Sequence, residues 1–456
     1  MTAASPVAHD AAGQGAAGGP PVRRLADWSA ARLRELADEY GTPLYVLDRD
    51  RVVANARRLR TAFPDAEIHY AVKANAVGAV LSALAGAGVG AECASAGEVE
   101  RALDAGFAGE DVRYTAVNPP AADLDFVVGL GEDLTITVGA RDTLDRLAER
   151  DWTGRLCVRV NPGVGAGHHA KVTTGAAPKF GVPIDRAAAL AREASSRGFD
   201  VVGLHAHAGS GILEAFDAHH ELARRLGDLT RAVEAGDAAG TGAGRYGGSD
   251  GIDLEFVSVG GGFGVPARPE ESPLDLDGVA GTTREALGAV DARLAIEPGR
   301  YFVADAGVLL TRVNTVKPTP GTTVVGVDAG MGSLLRPALY DAHHEIRSLA
   351  SDVADRETIG TTVTGPVCET ADVLGRDREL PRPTRGDYLA VGTAGAYGYE
   401  MASTYNSRPR PAVVALGGET SGSDTDDRGA REDSTGGTAR LAVRRETLDD
   451  LVRLER

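Results

Sequence analysis

Residues 68–75 read Ile-His-Tyr-Ala-Val-Lys-Ala-Asn, a mostly apolar stretch that runs into a lysine. Ile68–Val72 has the composition of a strand buried in a parallel sheet. Similar short apolar segments recur at Gly90–Cys93, Val112–Thr115, Thr135–Val138, Leu156–Val160, Val201–His205, Phe256–Val259 and Arg293–Ile296. Amphipathic stretches such as Val99–Ala105 and Ala187–Ser196 lie between them. Eight strands alternating with helices over residues 50–300 predict a (β/α)8 barrel. A doubly wound open sheet satisfies the same periodicity and stays open as the alternative. In a barrel, sites form at the C-terminal ends of the strands, which puts Lys73 at the mouth.

Outside this region the pattern changes. A helix at Ala30–Tyr40 and an apolar strand at Pro43–Leu47 precede the barrel, and residues 23–49 are expected to join the second domain. That domain spans 301–456. Val303–Leu310, Thr322–Val327, Tyr388–Val391 and Ala412–Ala415 are short, β-branched and bounded by Gly and Pro, so it is predicted to be mostly β. Residues 1–22 are rich in Ala, Gly and Pro and read as a disordered tail rather than a secretory leader. Gly236–Gly251 and Gly417–Gly437 read as inserted mobile loops.

Composition narrows the function classes. The chain has 456 residues, 43% of them hydrophobic, and a formal net charge of −17. Nucleic acid and anionic membranes are disfavoured as partners. No apolar run is long enough to span a membrane. Cys93, Cys157 and Cys368 lie far apart with no CxxC pair, which fits a reducing, cytoplasmic setting. There are only four lysines, Lys73, Lys171, Lys179 and Lys317, against 48 Lys plus Arg. A lysine kept where arginine is the habit marks a need for an amine.

Three more segments follow predicted strands and carry chemistry. An amine such as Lys73, in a partly desolvated mouth, loses proton affinity and can condense with an aldehyde. Its plainer reading is a solvated strand-end lysine. Gly260–Gly264, GGGFG, lets backbone N–H groups approach a phosphate, and Gly299 and Arg300 of EPGR can complete that cradle. Glu297 can face a pyridine nitrogen and keep it protonated, or form a surface ion pair. His205 and His207 alternate in LHAHAGSG, a spacing that also suits a metal pair. No third ligand is obvious, so no metal is expected. His207 is read as lying on a cofactor ring, Ser210 as bonding its phosphate, and His205 as a core residue.

In order along the chain stand YAVKAN, ECASAGEVERALDAG, KFGV, HAHAGSG, GGGFG, EPGR, DAGM, RPALYDAHH, GPVCETADVLGRDRELP and AGAYGYEMASTYNSRPRP. In these motifs the chain resembles the diaminopimelate decarboxylases. They belong to the fold-type III pyridoxal 5′-phosphate enzymes, with alanine racemases and ornithine and arginine decarboxylases. The resemblance covers roughly residues 25–416 and resumes near Ala439–Leu451. It implies an alanine racemase-like barrel plus β domain. It also implies decarboxylation of meso-2,6-diaminopimelate to L-lysine and CO2, with pyridoxal 5′-phosphate as cofactor. By resemblance Lys73 carries the cofactor as a Schiff base, and His207 stacks on its ring. Ser210, Gly260, Gly261, Gly262, Gly299, Arg300 and Tyr397 match its phosphate site, and Glu297 its pyridine nitrogen. Arg300, Arg336, Tyr340 and Tyr397 match the substrate site. Cys368, as proton donor, and Glu369 match a pair that reaches the active site from the partner of a homodimer.

The chemistry of the substrate agrees with this set. A distal carboxylate calls for planar two-pronged donors, Arg300 and Arg336, and a distal ammonium calls for an anion, Glu369. Arg336 as a structural ion pair and Cys368 as a buried structural thiol are the plainer alternatives. Two departures stand out: Thr370-Ala371 replaces a usual Ser-Gly, and Ala208 replaces a larger apolar residue. A decarboxylase of ornithine, arginine or carboxynorspermidine, and a non-catalytic pyridoxal-phosphate-binding protein, remain the rival readings.

Overall fold

The computed structural model describes residues 20–165, 177–214, 216–236, 251–418 and 438–455. Most of the predicted tail, and residues 237–250 and 419–437 of the predicted inserts, lie outside the described residues. Pro20 and Pro21 belong to the folded body. Their carbonyls accept hydrogen bonds from the Arg51 guanidinium at 2.7 and 3.1 Å.

The first helix, Ala30–Tyr40, starts where the Ser29 hydroxyl accepts a bond from the Arg32 N–H. Leu33, Leu36 and Ala37 form its buried stripe. It leads into β1 (Leu44–Asp48). Then come β2 (Glu67–Ala71), β3 (Gly90–Cys93), β4 (Val112–Tyr114), β5 (Thr135–Val138), β6 (Arg155–Asn161), the two-residue β7 (Val182–Pro183), β8 (Asp200–His205), β9 (Phe256–Ser258) and β10 (Arg293–Ile296). The order is β5-β4-β3-β2-β10-β9-β8-β6, and β6 returns to pair with β5 through Ile136 and Leu156. All these pairings are parallel. Eight strands therefore close into a (β/α)8 barrel, and the open sheet is excluded. β7 only extends an edge of β6.

The barrel interior is unusually polar. His69, Glu92, Arg113, Thr115, Thr137, His205, Ser258 and Glu297 are all buried. Buried charges persist only where they are paired, so this lining is a network, and its upper end forms the site.

The expected strand at Val303–Leu310 begins later than its sequence suggests. Arg300–Val303 is a short helix, Ala304–Ala306 a 3-10 turn, and β11 starts at Gly307. A continuous apolar run does not distinguish strand from buried helix. Here packing decides it. Phe302 and Val303 are fully buried, and Asp305 is seized by Arg51 and Asn55 of the helix Arg49–Ala62. Asp305 also accepts from the backbone N–H of Arg23 at 2.9 Å. Removing one partner of so buried a pair leaves a charge without compensation. Asp305→Ala is expected to cost about 3–5 kcal/mol, seen as a lower denaturation midpoint. An unchanged midpoint would show that this clamp does not hold the barrel exit.

The second domain contains β11 (Gly307–Thr319), β12 (Thr322–Val327), β13 (Ile346–Ser348), β14 (Thr358–Thr364), β15 (Val373–Pro381), β16 (Tyr388–Val391), β17 (Ala412–Leu416) and β18 (Ala439–Val443). Its sheet runs β15-β14-β12-β11-β1-β17-β18, with β16 joining β11 to β13. β1 thus sits between β11 (antiparallel) and β17 (parallel). Alternation gives β1 two buried faces. Leu44 and Val46 pack with Leu33 and Leu36 of the first helix, while Tyr45 and Leu47 join the core shared with the barrel.

Candidate active site

A cavity of about 310 Å³ opens at the C-terminal mouth of the barrel and is completed by the second domain. Lys73 lies in a single 3-10 turn, Val72–Ala74, just past β2. That turn is gripped from both sides. The Asn75 side chain donates to the Gly395 carbonyl at 2.8 Å, the Ala76 N–H to the Glu400 carboxylate at 2.9 Å, and the Tyr397 N–H to the Ala74 carbonyl at 2.7 Å. Tyr397 adopts φ +56 to make its contact, a conformation a bulky residue holds only when its surroundings impose it.

The Lys73 side chain is 46% exposed to the cavity, and its Nζ is 2.6 Å from Oε2 of Glu92, which is 5% exposed. Desolvation works against the ammonium, but the Glu92 carboxylate more than offsets it and raises the amine above its ordinary range. This reverses the expectation from sequence that the mouth alone would depress it. Glu92 was missed as a site residue. Its signal was an acid inside the buried strand Gly90–Cys93, where a carboxylate needs a partner.

Glu297 follows β10 and is deeply buried. Its Oε1 accepts from the Ser258 hydroxyl at 2.8 Å and lies 3.6 Å from Arg113 Nη1. Its Oε2 is 2.8 Å from His205 Nε2. Burial alone would raise this carboxyl, but His205, Arg113 and His69 hold it well below the usual range. So His205 pairs with Glu297, whereas His207 faces elsewhere. Among the described residues no group of three or more His, Cys, Asp or Glu is placed to hold a metal ion. Gly261 donates its N–H to His207 Nδ1 at 3.2 Å, which leaves the ring proton on Nε2. Burial, then Arg159 and Lys73, push His207 well below its ordinary value, so the imidazole is neutral.

The glycine wall admits nothing larger. A Cβ on Gly261 would sit 2.3 Å from the Glu297 carbonyl oxygen, and Gly262 has φ +102. The amides of Gly260 and Gly261 do not point at a ligand, since they donate to Ser258 and His207. Ser210, Gly262, Gly299 and Arg300 do line the cavity. The Arg300 guanidinium stacks 5.0 Å from the Tyr397 ring centroid, and its Nε is buried without a hydrogen-bond partner. Arg336 and Tyr340, one turn apart on the helix Arg336–Tyr340, face the same space.

Of the residues singled out by sequence, Lys73, His207, Ser210, Gly261, Gly262, Glu297, Gly299, Arg300, Arg336, Tyr340 and Tyr397 line this one cavity. Gly260 lies behind the wall. Cys368 and Glu369 do not line it. Cys368 is exposed, with Asn406 Nδ2 3.6 Å from its Sγ, and Glu369 accepts from the Tyr405 hydroxyl at 2.5 Å.

The pyridoxal-dependent decarboxylase family, in its pyridoxal binding domain, matches residues 49–304. A protein named diaminopimelate decarboxylase from Methanothermobacter thermautotrophicus is 43% identical over 395 residues, covering 84% of this chain and 88% of the relative. This chain belongs to the diaminopimelate decarboxylase family. A second relative of that name, from Aquifex aeolicus, is 36% identical over 84% of the chain and 89% of its own length. Among solved structures, diaminopimelate decarboxylase from Helicobacter pylori complexed with L-lysine superposes with a TM-score of 0.80 at 32% identity. It covers 93% of this chain and 99% of that one.

The cofactor of the family is pyridoxal 5′-phosphate, and the residues present suit it. A lysine amine stands at one end of the cavity and an ionised, buried carboxylate borders it. Beside them lie a neutral imidazole and a close-packed glycine wall with no side chain of its own. A dianionic phosphate further needs positive charge, which Arg300 and Arg159 bring to the lining.

Proposed function

We propose that this chain removes one carboxylate from meso-2,6-diaminopimelate, releasing CO2 and L-lysine in the last step of lysine biosynthesis. One observation supports it above the rest. Arg300 and Arg336 stand in a cavity with a lysine, and Arg300 lowers the proton affinity of Arg336 by repulsion on top of burial. Two guanidiniums that repel each other favour an anion between them. A substrate whose unreacted end carries a carboxylate meets that need, whereas ornithine and arginine offer none.

The geometry together with the family resemblance supports the following division of labour. Lys73 binds the cofactor, and Glu92 holds a proton at Nζ until the amine is needed. Ser210, Gly262, Gly299, Arg300 and Tyr397 hold the phosphate. Glu297 would keep the pyridine nitrogen protonated, and neutral His207 would lie against the ring without competing for charge. When bound, pyridoxal 5′-phosphate supplies a conjugated pyridinium that withdraws electrons from the substrate as CO2 leaves. Arg300, Arg336 and Tyr340 fix the distal carboxylate. Cys368 and Glu369 act in the cavity of a second copy in a homodimer, Cys368 giving its Sγ proton to the α-carbon and Glu369 receiving the distal ammonium. With its cysteines all free, the enzyme works in the cytoplasm.

The test is lysine formation from meso-diaminopimelate by the purified, cofactor-loaded protein, with L-ornithine and L-arginine in parallel. Lysine and CO2 from diaminopimelate alone support the reading, and turnover of another amino acid instead discards the substrate. Cys368→Ala is expected to lower kcat about 10²- to 10⁴-fold, as loss of a general acid does, with KM within about threefold. Mixing it with an inactive Lys73→Ala chain restores part of the activity if the thiol acts across subunits. An unaltered kcat removes Cys368 from the reaction.

A further inference from the structure

Arg336 opens its short helix with only 6% of the residue exposed. A cation buried so deeply is ordinarily matched by a carboxylate. Here its Nη1 lies 3.1 Å from Nε2 of His344, an imidazole. A guanidinium can only donate, so Nε2 accepts and the ring proton sits on Nδ1. Nδ1 donates to the Gly392 carbonyl at 2.9 Å, just beyond β16. The Gly392 N–H in turn donates to the Glu345 carbonyl at 2.9 Å. The tautomer is therefore set by backbone on one side and by Arg336 on the other. His344 is wholly buried. Burial and the Arg336 charge push it down to about 3, so it carries no charge at any working pH.

Resting on the reaction proposed above, we infer that His344 is a positioning residue for substrate choice: it holds the Arg336 guanidinium in place as an uncharged acceptor and leaves its full charge to the substrate's distal carboxylate. An Asp or Glu in this place would orient the guanidinium equally well and cancel its charge. The choice of a neutral partner favours amino acids that keep a second carboxylate over amines of the same length that lack one.

The experiment compares L-lysine, which retains that carboxylate, with 1,5-diaminopentane, which does not. Their affinities for the cofactor-loaded protein are read by calorimetry, beside KM and kcat for meso-diaminopimelate. In His344→Phe the lysine-to-diamine affinity ratio is expected to fall about tenfold or more, the size of a lost charge-assisted hydrogen bond. KM should rise by a similar factor while kcat stays within about threefold. His344→Gln, whose amide oxygen still accepts, should restore the ratio to within about threefold of the wild type. His344→Glu keeps a partner for Arg336 but neutralises it, and should lose discrimination as fully as the Phe variant. A ratio unchanged in His344→Phe or His344→Glu overturns the inference. If the Phe variant loses its cofactor, the Glu and Gln variants decide between the outcomes. The ratio needs no turnover, so a wild type inactive on diaminopimelate would sink the proposed reaction and leave this comparison standing.

Discussion

Lys73→Ala is expected to lower lysine formation on the order of 10³-fold or more, the scale of losing the group that makes the covalent bond. Among the described residues no other lysine lines the cavity, so none of them offers an amine to stand in. The structural cost should be separable from the chemical one. Lys73 is half open to the cavity, but Glu92 behind it is buried and depends on the ammonium 2.6 Å away. With the amine gone, the carboxylate is left buried without its partner. The midpoint of Lys73→Ala should therefore fall, and Glu92→Gln added to it should recover the loss without recovering turnover. Absorbance of bound cofactor separates failure to bind from failure to react. A Lys73→Ala protein within about tenfold of wild-type kcat would refute the assignment of the lysine.

The second large effect is expected at Glu297. Glu297→Gln keeps the shape and removes the charge, so in the proposed arrangement the pyridine nitrogen would lose the anion that keeps it protonated. Loss of one preorganised electrostatic contact of this kind costs about 10²- to 10³-fold in kcat. The cofactor's absorbance should shift with pH in the variant where the wild type is steady. Stability should respond too, because Arg113 and His205 lose a buried partner, at about 3–5 kcal/mol. The pH dependence has a definite sign. The folded protein holds the Glu297 carboxyl well below the usual range, with His205 and Arg113 outweighing the burial penalty. Its contribution is complete above the unfolded value of about 4.5 and is lost as pH falls through the folded one. Glu297→Gln should lack that part of the acid-side slope. If kcat, spectrum and slope all match the wild type, Glu297 does not face the cofactor.

The barrel could be read from sequence because its strands are short, largely apolar runs that alternate with amphipathic helices. Gly90–Cys93, Thr135–Val138 and Arg293–Ile296 end where the chain pattern says they should. The strands that escaped notice have another character. β15, Val373–Pro381, carries exposed and charged residues because it lies at the sheet's edge, and β14, Thr358–Thr364, beside it is a half-exposed, threonine-rich run broken by a glycine. An edge strand hides its identity behind solvent-facing side chains. At the site, residues in glycine-rich or lysine-bearing motifs announced themselves. Glu92, Arg113 and His344 did not, since each acts by pairing with a residue on another element of the fold. What marked Glu92 and Arg113 was a misfit, a charge inside an apolar strand. Nothing local marked His344, whose meaning depends on Arg336 Nη1 and the Gly392 carbonyl meeting it from either side.

The place of β1 between β11 and β17 sets a timetable for synthesis. The strand LYVLD leaves the ribosome early, yet Leu44 pairs with Leu310 and with Ala412. At about 5–20 residues per second, those partners follow only after a long delay. During it a strand with two apolar faces and two unpaired edges stands open to wrong partners. The first helix, Ala30–Tyr40, can shelter one face through Leu33 and Leu36 at once; the other waits for the barrel. The nascent protein is thus most prone to aggregate while the barrel is being made, and chaperone dependence should track the interval before residues 412–416 emerge rather than the stability of the finished enzyme.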